Sequence, residues 1–232
     1  MDAICFVLRT AGQWKALQET GLCSRSAAHR RVQAWTEAGV CLGLGTSGLV
    51  AYEALPGIDW EWLAMDGAMT TAPLGGQKVG KNPTDRGTIG ATRSVLTEGG
   101  GGPLGLAVAG AKRHDFKMAR ETLASLPVKR PAPTPATPHG LCLDKGDDSD
   151  AVRDWRAEFG CPAPIRGRGE EAPALKQDAG GRARRWVVER THSGMHRCRR
   201  VLIRWDNKGR NDLGFLPLAG AYLTYRQSDL VG

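Results

Sequence analysis

The stretch ARRWVVERTHSGMHRCRR, from Ala183 to Arg200, constrains this chain more than any other part of it. Val188, Thr191, Met195, Cys198 and Leu202 follow one another at spacings of 3, 4, 3 and 4, the repeat of one buried stripe on an α-helix. The other side carries Arg184, Arg185, Arg190, Arg197, Arg199 and Arg200. A single carboxylate, Glu189, stands in that basic field. Arg185 lies four residues before it on the same flank, so an ordinary ion pair accounts for it. The alternative, a metal ligand beside bound phosphates, requires further carboxylates elsewhere in the chain.

Two are suitably placed. Asp66 closes the run WEWLAMD and Asp144 closes LCLD, each a short apolar segment with glycine soon after, Gly67 and Gly146. Both segments read as buried strands ending at their aspartate. A strand end fixes a side chain while leaving its tip open to solvent and substrate. Two such aspartates and one helix glutamate can hold two divalent ions, the arrangement that clamps the attacking and leaving oxygens of a phosphodiester.

The surrounding motifs stand as AMDGAM at Ala64 to Met69, NPTDRGTIG at Asn82 to Gly90, GAKRHD at Gly110 to Asp115, LCLDKGDDSD at Leu141 to Asp150 and RRWVVERTHS at Arg184 to Ser193. In this order they resemble the DDE transposases of bacterial insertion sequences, insertion-sequence family five, over roughly residues 1 to 226. The resemblance implies a ribonuclease H-like catalytic core with a mixed sheet. It places the catalytic and metal-binding triad on Asp66, Asp144 and Glu189, with two Mg²⁺ ions or Mn²⁺ as cofactor. It implies metal-dependent DNA strand cleavage and strand transfer at the element's terminal inverted repeats, by a homodimer on double-stranded DNA. The basic residue of the family pattern four before the glutamate is Arg185; seven after it stands His196. Relatives carry tyrosine where this chain has Asp147 and tryptophan where it has Gly194. They also have several tens of residues before the N-terminal helical segment, so the chain reads as N-terminally shortened. These departures keep open a catalytically inactive DNA-binding remnant, and a host nuclease on the same fold would need no end recognition.

Composition agrees with a polyanionic partner. The 232 residues include 32 basic and 24 acidic ones, a net charge of +8, with a pI near 9.4, which fits nucleic acid first and an anionic membrane surface second. No apolar run is long enough for a transmembrane helix and MDAICFVLRT has no signal-peptide pattern, so the expectation is a cytoplasmic, DNA-associated bacterial protein. Six cysteines show no CxxC spacing and read as free thiols. His139 with Cys142 and His192 with His196 have zinc-compatible spacings, without a compact ligand set.

Along the chain, residues 1–48 read as a small helical segment of helix-turn-helix type: a helix over 2–10 with Ile4, Val7 and Leu8 inward, then one capped by Ser24 or Ser26 and ending at Gly39. Arg25, His29, Arg30 and Arg31 would face DNA, with Arg185 and Arg190 as further contacts, while Ala28, Val32 and Trp35 pack inward. A plain helical bundle with a solvated basic face has the same pattern. The glycines and proline of 43–57 suggest a connection, placing a linker at 49–58 and the ribonuclease H-like domain at 59–232. Residues 73–87, with Lys78, Lys81 and Arg86, read as a surface loop, either mobile or laid along DNA phosphates. Strands over 88–97 and 104–109 form a hairpin, and a helix runs from Asp115 to Leu126. Five prolines between Pro127 and Pro138 make an extended spacer. A helix over 149–159, a short strand at CPAPIR, a polar insert and a last helix over 213–225, kinked or begun by Pro217, complete the reading.

Overall fold

The computed structural model describes residues 1–54, 57–83, 87–111, 113, 115–143, 154, 157, 159–161 and 186–228. The segments expected as a helix over 149–159, the CPAPIR strand and the polar insert lie largely or wholly outside them. Three helices come first: α1 (Asp2–Thr10), α2 (Arg25–Glu37) and α3 (Val40–Ala54), with a 3₁₀ turn at Trp14–Gln18. Strands β1 (Trp62–Thr71), β2 (Gly80–Lys81), β3 (Ile89–Thr97) and β4 (Pro103–Gly110) follow, then α4 (Asp115–Ala124) and β5 (Gly140–Cys142). The chain closes with α5 (Trp186–His196), α6 (Arg199–Leu202) and α7 (Gly209–Gln227). Among the described residues no helix is long and apolar enough to cross a membrane.

The sheet is mixed, as expected. The β3–β4 hairpin pairs antiparallel, β3 pairs antiparallel with β1, and β5 adds parallel to the far edge of β1. Alternation along each strand divides the core in two. Val95 of β3 joins Ala91 and Val108 beneath Val7, Leu17 and Val32 of the N-terminal segment and Met195, Phe215 and Leu216 of α5 and α7. Leu96 faces the other way, to Leu63, Met65, Leu104, Leu123 and Leu141 under α4. The helices before the sheet therefore share a core with it.

Local signals hold for α1 and α2: Ile4, Val7 and Leu8 are buried, and the Ser24 hydroxyl accepts from the Ala27 amide at 3.3 Å. His29 departs from its expected outward position, since its ring meets Trp14 edge-on at 5.2 Å. Residues 43–54 are not a connection but most of α3, and the expected linker at 49–58 begins inside that helix. Glycine costs about 1 kcal/mol per helical position, yet a side chain at Gly45 would press on Pro217 at 3.3 Å. Bare backbone there lets α3 close on α7 and bury Cys41, Leu49 and Tyr52. For the same reason α7 starts at Gly209 and keeps Pro217 inside, because burial of Phe215, Leu216 and Ala219 outweighs a cost of about 3 kcal/mol for the proline.

Buried charge fastens the C-terminal elements to the sheet. Arg93 of β3, 3% exposed, donates to Asp212 of α7 at 2.5 Å, to the Thr70 hydroxyl at 3.1 Å and to the Val201 carbonyl of α6. Arg200, expected on the outer basic face, is instead buried and paired with Asp206 at 2.9 Å. The cause is a break: Cys198 leaves helical geometry (φ −80°, ψ 86°) and α6 restarts after it. Val201 then takes the buried place that the unbroken stripe gave to Leu202, which is 43% exposed. Replacing Asp212 by alanine strands the Arg93 cation, and we expect a loss of roughly 3–5 kcal/mol in urea unfolding.

The proline-rich spacer ends in a second polar anchor. Arg130 donates to His139 Nδ1 at 2.9 Å and to the Phe159 carbonyl at 2.8 Å. Burial, and then the Arg130 charge, hold the His139 imidazole below its usual proton affinity. A histidine that is neutral when folded and free to protonate when unfolded contributes stability present above the unfolded pKa and lost as pH falls below about 6.5. Melting temperature is expected to drop between pH 7 and pH 5, and to drop less in His139→Asn, whose amide oxygen accepts from Arg130 without titrating.

Candidate active site

Asp66 lies in the middle of β1 rather than at its end, because pairing with β3 continues from Ala64 to Thr71; Asp66 stands opposite Val95. It is half-buried. On the other side of β1 the last described pair with β5 is Ala64 with Cys142. Each strand at that point is two residues short of its aspartate. Asp144 itself lies outside the described residues, as do Arg184 and Arg185.

Glu189 occupies the first turn of α5 on its exposed side. Val187, Val188, Thr191, His192 and Met195 form the buried side. His192 makes the decisive contact: its Nε2 lies 3.2 Å from the backbone carbonyl of Asp66. A carbonyl can only accept, so Nε2 carries the proton. Burial lowers the proton affinity of the ring, the Asp66 carbonyl and the Glu189 charge oppose that shift, and Arg93 adds to it. Glu189 precedes His192 by three residues, which sets the two on one flank of the helix. In the sequence His192 stands out only by its spacing to His196; its place three residues after Glu189 is the signal that marks it.

A second latch fixes the same helix. The Thr191 hydroxyl donates to the Gly101 carbonyl at 2.7 Å, and Arg190 donates to the Gly100 carbonyl at 2.5 Å. That turn, between β3 and β4, is ordered by Glu98, 1% exposed, whose carboxylate accepts from the Gly100 and Gly102 amides at 2.7 and 2.6 Å. Arg190 also lies over the Trp186 ring at 4.8 Å. Its guanidinium is thus engaged in holding the helix, beside the DNA role expected of it. Arg25, Arg30 and Arg31 are exposed on α2; Arg30 bonds the Ser26 carbonyl at 3.3 Å and Arg31 lies 5.9 Å from the Trp35 ring centre. The structure brings Asp66 and the Glu189 helix together and leaves the α2 arginines on a separate element.

Residues 62–224 match the profile of the transposase DDE domain. The chain belongs to that family. A protein of Burkholderia cepacia named as a transposase for insertion sequence element IS402 is 30% identical over 167 residues, 67% of this chain and 74% of that one. Among solved structures, a pre-cleavage Mos1 transpososome aligns over 99% of this chain and 79% of its own at 11% identity and a TM-score of 0.35. The Mos1 strand transfer complex aligns over 100% and 78% at 13% identity and a TM-score of 0.33. Overlaps this loose carry no argument.

One departure of this DDE transposase domain has a structural explanation. Gly194 is where α5 meets α7, and a side chain there would lie 3.0 Å from Leu223 Cδ2. The tryptophan that the resemblance expects here does not fit without moving Leu223. Gly194→Trp should cost about 1–3 kcal/mol through overpacking, a fall in melting temperature of roughly 2–9 °C for a chain of this size.

Proposed function

We propose that this chain is a working transposase that binds the ends of its insertion sequence, cuts DNA there and joins the freed ends to target DNA. The observation that carries the proposal is the bond from His192 to the Asp66 carbonyl. It docks the helix bearing Glu189 on the strand bearing Asp66, at the residue that the family resemblance makes catalytic.

The donors fit a hard divalent cation. Asp66 and Glu189 offer carboxylate oxygens, with Asp144 as the third ligand the resemblance adds, and all-oxygen sites of this kind suit Mg²⁺ or Mn²⁺. The nearby imidazole nitrogen His192 Nε2 is already bonded, which disfavours a nitrogen-rich zinc site. Bound there, two ions supply Lewis-acid polarisation of the phosphodiester and an activated water. The protein's own share is positioning: His192 and Thr191 hold α5, β1 holds Asp66, and the sheet keeps both in register. The exposed arginines Arg25, Arg30 and Arg31, with Arg185 and Arg190, orient the duplex through its phosphates. A homodimer on DNA in the bacterial cytoplasm completes the reading.

Incubation with Mg²⁺ and labelled duplex tests it. End-specific nicking is the expected result; uniform nicking of random duplex indicates a nuclease instead, and binding without nicking an inactive remnant. Asp66→Asn and Glu189→Gln are each expected to lower the nicking rate at least a hundredfold with less than threefold change in DNA affinity. Full activity in Glu189→Gln removes that residue from the site.

A further inference from the structure

The segment between α6 and α7 is extended, starting from Ile203 (φ −125°, ψ 132°), and its side chains alternate. Arg204 and Asp206 point inward, 1% and 8% exposed, while Trp205 between them is 40% exposed. Such alternation leaves the indole no choice of side. The inward residues are pinned: Arg204 donates to the Asp206 carbonyl at 3.1 Å and to the Lys78 carbonyl at 3.2 Å, and Asp206 pairs with Arg200.

The facing loop is held by the same segment. The Arg204 amide donates to the Thr71 carbonyl at 3.0 Å and the Gln77 amide to the Asn207 carbonyl at 3.0 Å. Gln77 Oε1 in turn accepts from the Gly209 amide at 3.2 Å. Gly76 (φ 109°) passes so close that any side chain would collide with Asn207, and Lys78 sits in the left-handed region at φ 54°. Residues 76–78 of a glycine- and lysine-rich loop that composition alone leaves free to move are therefore pinned to this segment.

What these two segments present outward is apolar, neutral or positive. Leu74 is 62% exposed, Lys78, Lys81, Asn207 and Lys208 are exposed, and among their described residues the one acidic side chain, Asp206, is turned inward to Arg200. An exposed flat ring among cations has the chemistry that stacks on a nucleobase while ammonium groups meet the flanking phosphates. We propose that Trp205, with Lys78 and Lys208, is a contact platform for DNA carrying an unpaired base. The indole stacks on the base and the lysines bind phosphates to either side. The platform joins β1 at Thr71, five residues beyond Asp66, about 17 Å along a strand. That corresponds to about five nucleotides of a DNA strand at 3.4 Å each, a placement that rests on the DNA-cutting reading above.

The test is fluorescence anisotropy of the full chain in EDTA, with a labelled blunt duplex and the same duplex carrying a five-nucleotide gap. Trp205→Ala is expected to weaken binding to the gapped duplex about tenfold and to the blunt duplex less than twofold, with Trp205→Phe restoring most of the loss. Lys78→Ala with Lys208→Ala is expected to flatten the log–log salt dependence by about two units on either DNA. Unchanged binding of Trp205→Ala to gapped duplex overturns the platform, as does an equal loss on both DNAs. Because EDTA excludes cleavage, the outcome is independent of the nicking assay. A chain that never nicks can still bind through Trp205, and one that nicks can fail this test.

Discussion

One buried cation holds the second half of this molecule to the first. Arg93 reaches from the central strand β3 to Asp212 of α7, the Val201 carbonyl of α6 and the Thr70 hydroxyl of β1. A guanidinium removed from water is tolerable only when paired and hydrogen-bonded. Its partners must therefore arrive together, and each belongs to a different element. That requirement fixes the ends of α6 and α7 against the sheet in one arrangement, where apolar packing alone would accept several.

The candidate site inherits its rigidity from this anchoring. With α6 and α7 fixed, α5 has one place to lie, across the face of β1 and β3. Two short-range latches then set its position along that face: His192 on the Asp66 carbonyl and Thr191 on the Gly101 carbonyl. Both acceptors are backbone atoms of ordered elements, so the helix bearing Glu189 is set by the frame of the sheet. Pre-organisation of this kind is what the proposed metal-assisted chemistry needs, since small errors in ligand position are costly.

Basic residues serve two ends in the same chain. Arg93, Arg200 and Arg204 are buried and bonded within the fold, and Arg190 braces α5 against the β3–β4 turn. The positive charge that fits an anionic partner is thus partly engaged within the fold. Among the described residues, exposed cations open to a polyanion include those of α2, Arg197 and Arg199 beside the α5–α6 break, and the lysines of the pinned loop.

Much of the fold was legible locally. The apolar run that reaches Asp66, the paired strands over 88–97 and 104–109, the Ser24 cap and the stripe through Val188, Thr191, Met195 and Cys198 are short-range patterns, and each corresponds to a real element. The ordered motifs identified the family and, by resemblance, the carboxylates. What sequence alone could not show is what each face touches. His192 and Asp66 are 126 positions apart, as are Arg204 and Lys78, and no local period records such a partner. Residues 43–54 read as a connection because their glycines are poor helix formers; contact with α7 reversed that preference. The unbroken stripe placed Arg200 outside and Leu202 inside, and the turn at Cys198 exchanged them. Periodicity determined which residues seek burial, since hydrophobic transfer acts on each side chain separately. Only the tertiary structure decided which charges were buried with them, because a buried charge is stable only with a partner brought from elsewhere in the chain.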